Sequence, residues 1–83
     1  MQEVTKDDVQ TVFQEVFNQE ELEIYPELNA QNVKNWDSFN HMNLILALEE
    51  RFHVRFSTEE MAAMANVGDL FVLLNKHGVN VSW

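Results

Sequence analysis

The chain contains no cysteine. A disulfide, a zinc–thiolate site and a cysteine nucleophile are therefore excluded from its own residues. One proline and two glycines among 83 residues are too few turn-formers for a run of hairpins and suit helices better. Positive charge is scarce: five Lys and Arg stand against 14 Asp and Glu, for a formal net charge of -9. Nucleic-acid phosphates and anionic lipid surfaces both attract cationic footprints and would repel this chain. No run reads as a bilayer span or an N-terminal apolar leader, so the expected setting is the cytoplasm. Partners should carry basic patches, and their encounters should weaken with salt.

A hydrophobic fraction of 46% rules out a disordered acidic tail. The length fits one small domain, residues 1–83. Such a domain buries only about 60% of its unfolded surface, and the mutual repulsion of its charges reduces stability further. A small, acidic, cysteine-free helical monomer is a poor scaffold for a deep catalytic pocket. Docking, not enzymatic chemistry, is the expected role.

Val9, Val12, Phe13, Val16 and Phe17 repeat at i, i+3, i+4, i+7 and i+8, which predicts a helix over about residues 5–18. Thr5 is placed to cap it, with Asp8 three residues on and Val4 and Val9 as a hydrophobic staple. Residues 19–36 lack any such period. They hold Glu20, Glu21, Glu23, Glu27 and the one proline, Pro26, among scattered apolar residues including Leu22, Ile24, Leu28, Val33 and Trp36. These suggest a long loop pinned across the bundle, with room for one short helical turn. Its glutamates read as a solvated acidic segment more readily than as a divalent-cation site.

Residues 38–52 carry two apolar stripes. Leu44, Ile45, Leu48 and Phe52 form one; Phe39, Met42 and Leu46 form a second, about 140° away at about 100° per residue. The second is either additional core or an exposed docking strip. Ser57 and Glu60 then make a capping box before Met61–Met64. Asn66, with Asp69 at its third position, caps a last helix whose apolar face is Val67, Leu70, Phe71 and Leu74. Gly78 suits the residue after that helix, and Val79, Val81 and Trp83 alternate in a tail. The predicted fold is all-α: a four-helix bundle of three main helices and one short one, with a long first loop. Leu44, Ile45, Leu48, Val12, Phe13, Val16 and Phe71 should line its core.

Asp37 and Ser38 stand where the acidic loop becomes the doubly apolar helix. Either side chain can cap that helix. Alternatively, Ser38 is a modification site at the positive helix end, which favours an attached phosphate. Asp37, Ser38 and His41 also invite a catalytic-triad reading. Residues spaced i, i+1 and i+4 on one helix do not by themselves give nucleophile–base–orienter geometry, and no oxyanion loop accompanies them. His41, His53 and His77 lack metal-ligand spacing. Glu49 and His53 are spaced to pair.

The run Trp36-Asp37-Ser38-Phe39-Asn40-His41-Met42-Asn43-Leu44-Ile45-Leu46-Ala47-Leu48-Glu49-Glu50-Arg51-Phe52 resembles the modification-site helix of acyl carrier proteins: Asp-Ser-Leu, then an apolar helix ending in Leu-Glu-Glu-x-Phe. Val54-Arg55-Phe56-Ser57, Glu59-Glu60 and Asn66-Val67-Gly68-Asp69-Leu70 resemble the start of that family's third helix and its Thr-Val-Gly-Asp opening of the fourth. The resemblance runs from about residue 5 to residue 75. It implies that Ser38 bears 4′-phosphopantetheine from coenzyme A, attached by a separate phosphopantetheinyl transferase to which Asp37 helps present the site. The arm's thiol would hold an acyl group as a thioester, and the chain itself would have no enzymatic role. Phe39, Met42, Leu46, Glu49 and Glu50 would then form a docking face for acyl-loading enzymes, acyltransferases or synthases, and acyl chains could shelter between the helices.

Three departures from the pattern matter. Phe39 replaces the usual leucine, Trp36 stands where small residues are common, and Asn40, Asn43 and Arg51 thin the acidic surface of the helix. They favour specialised acyl or polyketide-type biosynthesis over housekeeping fatty-acid synthesis. An aminoacyl or peptidyl carrier is one alternative. A helical interaction module without the arm is another.

Overall fold

The computed structural model describes residues 2–82. The element order is β1 (Gln2–Thr5), α1 (Lys6–Phe17), α2 (Ser38–Phe52), α3 (Thr58–Ala63), α4 (Val67–Lys76) and β2 (Val79–Ser82). The four expected helices are all present, and their limits follow from local capping chemistry. The Thr5 N–H donates to the Asp8 carboxylate at 3.1 Å. Asn18, in the left-handed region at φ 53°, ends α1 by donating its N–H to the Gln14 carbonyl. At α3 the Ser57 and Glu60 side chains each accept the other's backbone N–H, at 3.0 and 2.8 Å. At α4 the Asn66 side chain accepts from the Asp69 N–H at 2.8 Å. Gly78, at φ 88°, then turns the chain out of the helix.

Each long helix buries one stripe: Val9, Val12, Phe13 and Phe17 from α1; Leu44, Ile45, Leu48 and Phe52 from α2; Val67, Leu70, Phe71 and Leu74 from α4. Val16 is a correction, since it is half-buried and packs at the margin of the core. No residue within α3 is buried. The short helix is held through Met64 at its end, 6% exposed, and through Met61 at the core margin.

The loop over 18–37 is pinned at several points. Ile24, Leu28, Val33 and Trp36 are buried. The Ile24 N–H donates to Gln10 Oε1 at 3.0 Å, and Gln14 Nε2 donates to the Leu22 carbonyl at 3.0 Å. Further on, the Pro26 and Leu28 carbonyls accept from the N–H groups of Gly68 and Val67, with an antiparallel bridge between Asn29 and Asn66. The short helical turn allowed for this segment does not form; isolated hydrogen-bonded turns replace it.

The sequence gives no sign of one feature. β1 and β2 pair in parallel, with Gln2 opposite Val79 and Thr5 opposite Ser82. The alternation at Val79 and Val81 belongs to this strand, whereas Trp83 lies outside the described residues.

Candidate functional site: the first turn of helix α2

Asp37 is the N-cap of α2, and its carboxylate accepts from the Asn40 N–H at 2.8 Å. That settles the choice between Asp37 and Ser38 as cap. Ser38, the first helical residue, is exposed, and its hydroxyl makes no hydrogen bond to the described residues. The turn before it is held by Asn40, whose Nδ2 donates to the Asn35 carbonyl at 2.7 Å. Asn35 itself adopts a left-handed φ of 78°. Asn40, read from sequence as a neutral surface residue, is thus a brace for the segment carrying Trp36 and Asp37. Only its ability to bond along the chain hinted at this.

His41 likewise has a defined place. Trp36 Nε1–H donates to His41 Nδ1 at 3.0 Å, and His41 Nε2 lies 3.2 Å from the Met61 carbonyl. The indole nitrogen can only donate, so Nδ1 is the acceptor and Nε2 carries the proton toward Met61. With both ring nitrogens engaged, His41 is not poised as a base for Ser38. Beside these residues is an open depression of about 420 Å³ lined by Ala30, Trp36, Asp37, Ser38, His41, Met61, Ala62 and Met64.

The second apolar stripe is surface, not core: Phe39 is 75% exposed, Met42 47% and Leu46 54%. Helical spacing puts Glu49 and Glu50 at the two edges of this face. Glu50 is exposed, whereas Glu49 is half-buried and accepts from the Phe56 N–H at 2.8 Å. The expected Glu49–His53 pair is replaced by this contact. His53 ends α2 in the left-handed region, φ 56°.

Behind α3, Glu60 meets His77 Nε2 at 3.1 Å and Lys76 Nζ at 3.2 Å. The backbone hydrogen bond from Ser57, aided by His77 and Lys76 and opposed by desolvation, lowers the Glu60 pKa from 4.5 to about 2. Among the described residues, no cluster of three His, Asp or Glu side chains could hold a metal ion, and no helix is long and apolar enough to cross a membrane.

These features define a class: a small helical bundle that presents an uncommitted serine at a helix start beside an exposed apolar strip. The comparisons with known proteins agree. The chain is 33% identical over 64 residues to the acyl carrier protein of Helicobacter pylori strain J99, covering 77% of this chain and 82% of that one. A second Helicobacter pylori strain, ATCC 700392, gives 34% over the same span. The solution structure of a holo acyl carrier protein from Geobacter metallireducens superposes with a TM-score of 0.81 at 35% identity, covering 86% of this chain and 82% of that one. No family model matches. The chain belongs to the acyl carrier protein family, and it is a carrier, not an enzyme.

Proposed function

We propose that Ser38 is the attachment residue for 4′-phosphopantetheine and that the chain, a single domain over 1–83, shuttles acyl groups between enzymes in the cytoplasm. One observation carries this reading: Asp37 performs the capping, which leaves the Ser38 hydroxyl exposed and uncommitted at the start of α2. The residues fit the group. A phosphodiester on Ser38 would lie at the positive end of a 15-residue helix, where backbone N–H groups and the macrodipole favour an anion, and the neighbouring depression leaves room beside it.

When bound, the arm supplies the thiol that holds the acyl group as a thioester, chemistry that a cysteine-free chain cannot supply. The chain's own residues orient and dock. Asp37 holds the first turn in register and offers its charge to the transferase. Phe39, Met42 and Leu46 give synthases, acyltransferases and loading enzymes a pliable apolar contact, while Glu49 and Glu50 add charge for basic patches. Tethering raises the effective concentration of the acyl group at a docked enzyme. Neutral Asn40 and Asn43 and cationic Arg51 on α2 support a specialised acyl or polyketide-type pathway over housekeeping fatty-acid synthesis. Aminoacyl cargo would use the same serine with a different loading enzyme.

The test is intact mass after incubation with coenzyme A, Mg²⁺ and a broad-specificity phosphopantetheinyl transferase, beside the Ser38→Ala variant. A gain of one phosphopantetheinyl group in the parent and none in the variant is expected. A folded parent that gains no mass even with its own pathway's transferase leaves the armless interaction module as the reading.

A further inference from the structure

The depression beside Ser38 has an unusual floor. Trp36 lines it yet is only 7% exposed. The indole lies nearly coplanar with the His41 ring, 18° between planes and 6.2 Å between centroids, the two joined edge to edge through Nε1–H and Nδ1. Away from the depression it meets Phe13 edge-on, 5.7 Å at 79°, and Phe17 at 5.6 Å. The Trp36–His41 hydrogen bond and the His41 contact to the Met61 carbonyl tie this ring to both α2 and α3. Phe13, Leu44 and Ile45, in the same core cluster as Trp36, are fully buried. An alkyl chain directed inward would have to turn a ring with three aromatic neighbours and break a part-buried hydrogen bond.

We propose that this depression is the resting site of the tethered acyl group, and that Trp36, latched by His41, restricts the site to short or polar acyl chains. The inference rests on Ser38 carrying the arm. The Met61 and Met64 thioethers supply adaptable apolar walls, and Asp37 supplies a polar side. A short acyl group covers the indole floor. Each further methylene projects back toward water and gains no burial. The interior shelter that the family resemblance implies is closed by an aromatic wall in this chain.

The experiment loads acetyl, butyryl, octanoyl and dodecanoyl groups from their coenzyme A thioesters with a broad-specificity transferase, and checks each product by intact mass. Failure of a folded parent to take up every one of them, with its own pathway's transferase as well, strikes the carrier reading itself and is thereby distinguished from failure of this proposal. Thermal midpoints are then compared in the parent and in Trp36→Leu. In the parent the octanoyl and dodecanoyl forms should melt within about 2 °C of the butyryl form. In Trp36→Leu they should rise with chain length by about 5 °C or more, as methylenes become buried.

A parent midpoint that climbs steadily with chain length overturns the proposal, and so does a Trp36→Leu series indistinguishable from the parent. Should Trp36→Leu fail to fold, His41→Ala, which keeps the indole and removes its latch, must show a partial rise or the proposal falls. In a Trp83→Phe background Trp36 is the sole indole. Its emission should shift between the holo and butyryl forms, and unchanged emission rejects the depression as the site.

Discussion

Asp37 combines two properties that an alanine substitution would remove together. Its carboxylate caps α2 through the Asn40 N–H, and its charge stands next to Ser38. Asparagine separates the two, because it caps about as well as aspartate. Asp37→Asn should therefore melt close to the parent, whereas Asp37→Ala should lose about 1 kcal/mol, a fall of roughly 4–8 °C in a domain this small. If the transferase reads the charge, Asp37→Asn should still slow modification about tenfold, the effect of losing one charge-assisted contact. Rates by mass spectrometry beside thermal melts decide the matter. Glu60 gives a second test at this scale. Its pKa is lowered to about 2 in the folded chain, so the stability it contributes is complete above the ordinary carboxylate value and is lost as pH falls from about 4.5 toward 2. Urea unfolding across that window should show a shallower acid limb in Glu60→Gln than in the parent.

Among the elements, the caps were readable because capping is chemistry between residues three or four apart. Thr5 with Asp8, Ser57 with Glu60, Asn66 with Asp69 and the turn at Gly78 are all legible in the sequence, and they set the helix limits. Gly78→Ala tests the last of these: the φ of 88° costs a side-chain-bearing residue about 1 kcal/mol, seen as a lower urea midpoint. Gly68 tests the crossing of the loop over α4. A Cβ there would stand 3.2 Å from the Pro26 carbonyl oxygen, so Gly68→Ala should loosen the loop and expose its amides to hydrogen exchange.

What the sequence did not disclose are contacts between residues distant along the chain. Nothing at Gln10 announces a bond to the Ile24 amide, nor at His41 a bond to the Met61 carbonyl. The pairing of β1 with β2 is the extreme case, since neither four-residue strand has a pattern strong enough to name its partner. The exposed second stripe of α2 was ambiguous for the opposite reason. Composition states that Phe39, Met42 and Leu46 are apolar, but only the packing of α1, α3 and α4 decides which face of α2 remains uncovered.

At the scale of the whole molecule, the net charge of -9 acts in two directions. It opposes compaction of the chain, and it draws the chain toward basic partners. Salt screens both effects. Raising NaCl from about 10 mM to the physiological range of about 0.15 M, where the Debye length falls from about 30 to 8 Å, should therefore raise the thermal midpoint while weakening capture by a basic partner enzyme. Calorimetry and surface-binding rates on one preparation would measure both. Equal signs for the two responses would mean that docking is dominated by the apolar strip on α2.

The parallel pairing of β1 with β2 has a mechanical consequence. Tension applied outward at residues 2 and 82 draws one strand backward and the other forward along their common axis. The rungs between them are then loaded together in shear, instead of opening one after another as a zipper does. A carrier joined at both ends to heavier neighbours would thus meet a pull first at a joint loaded in shear, and the helices would feel the force only after that joint had parted.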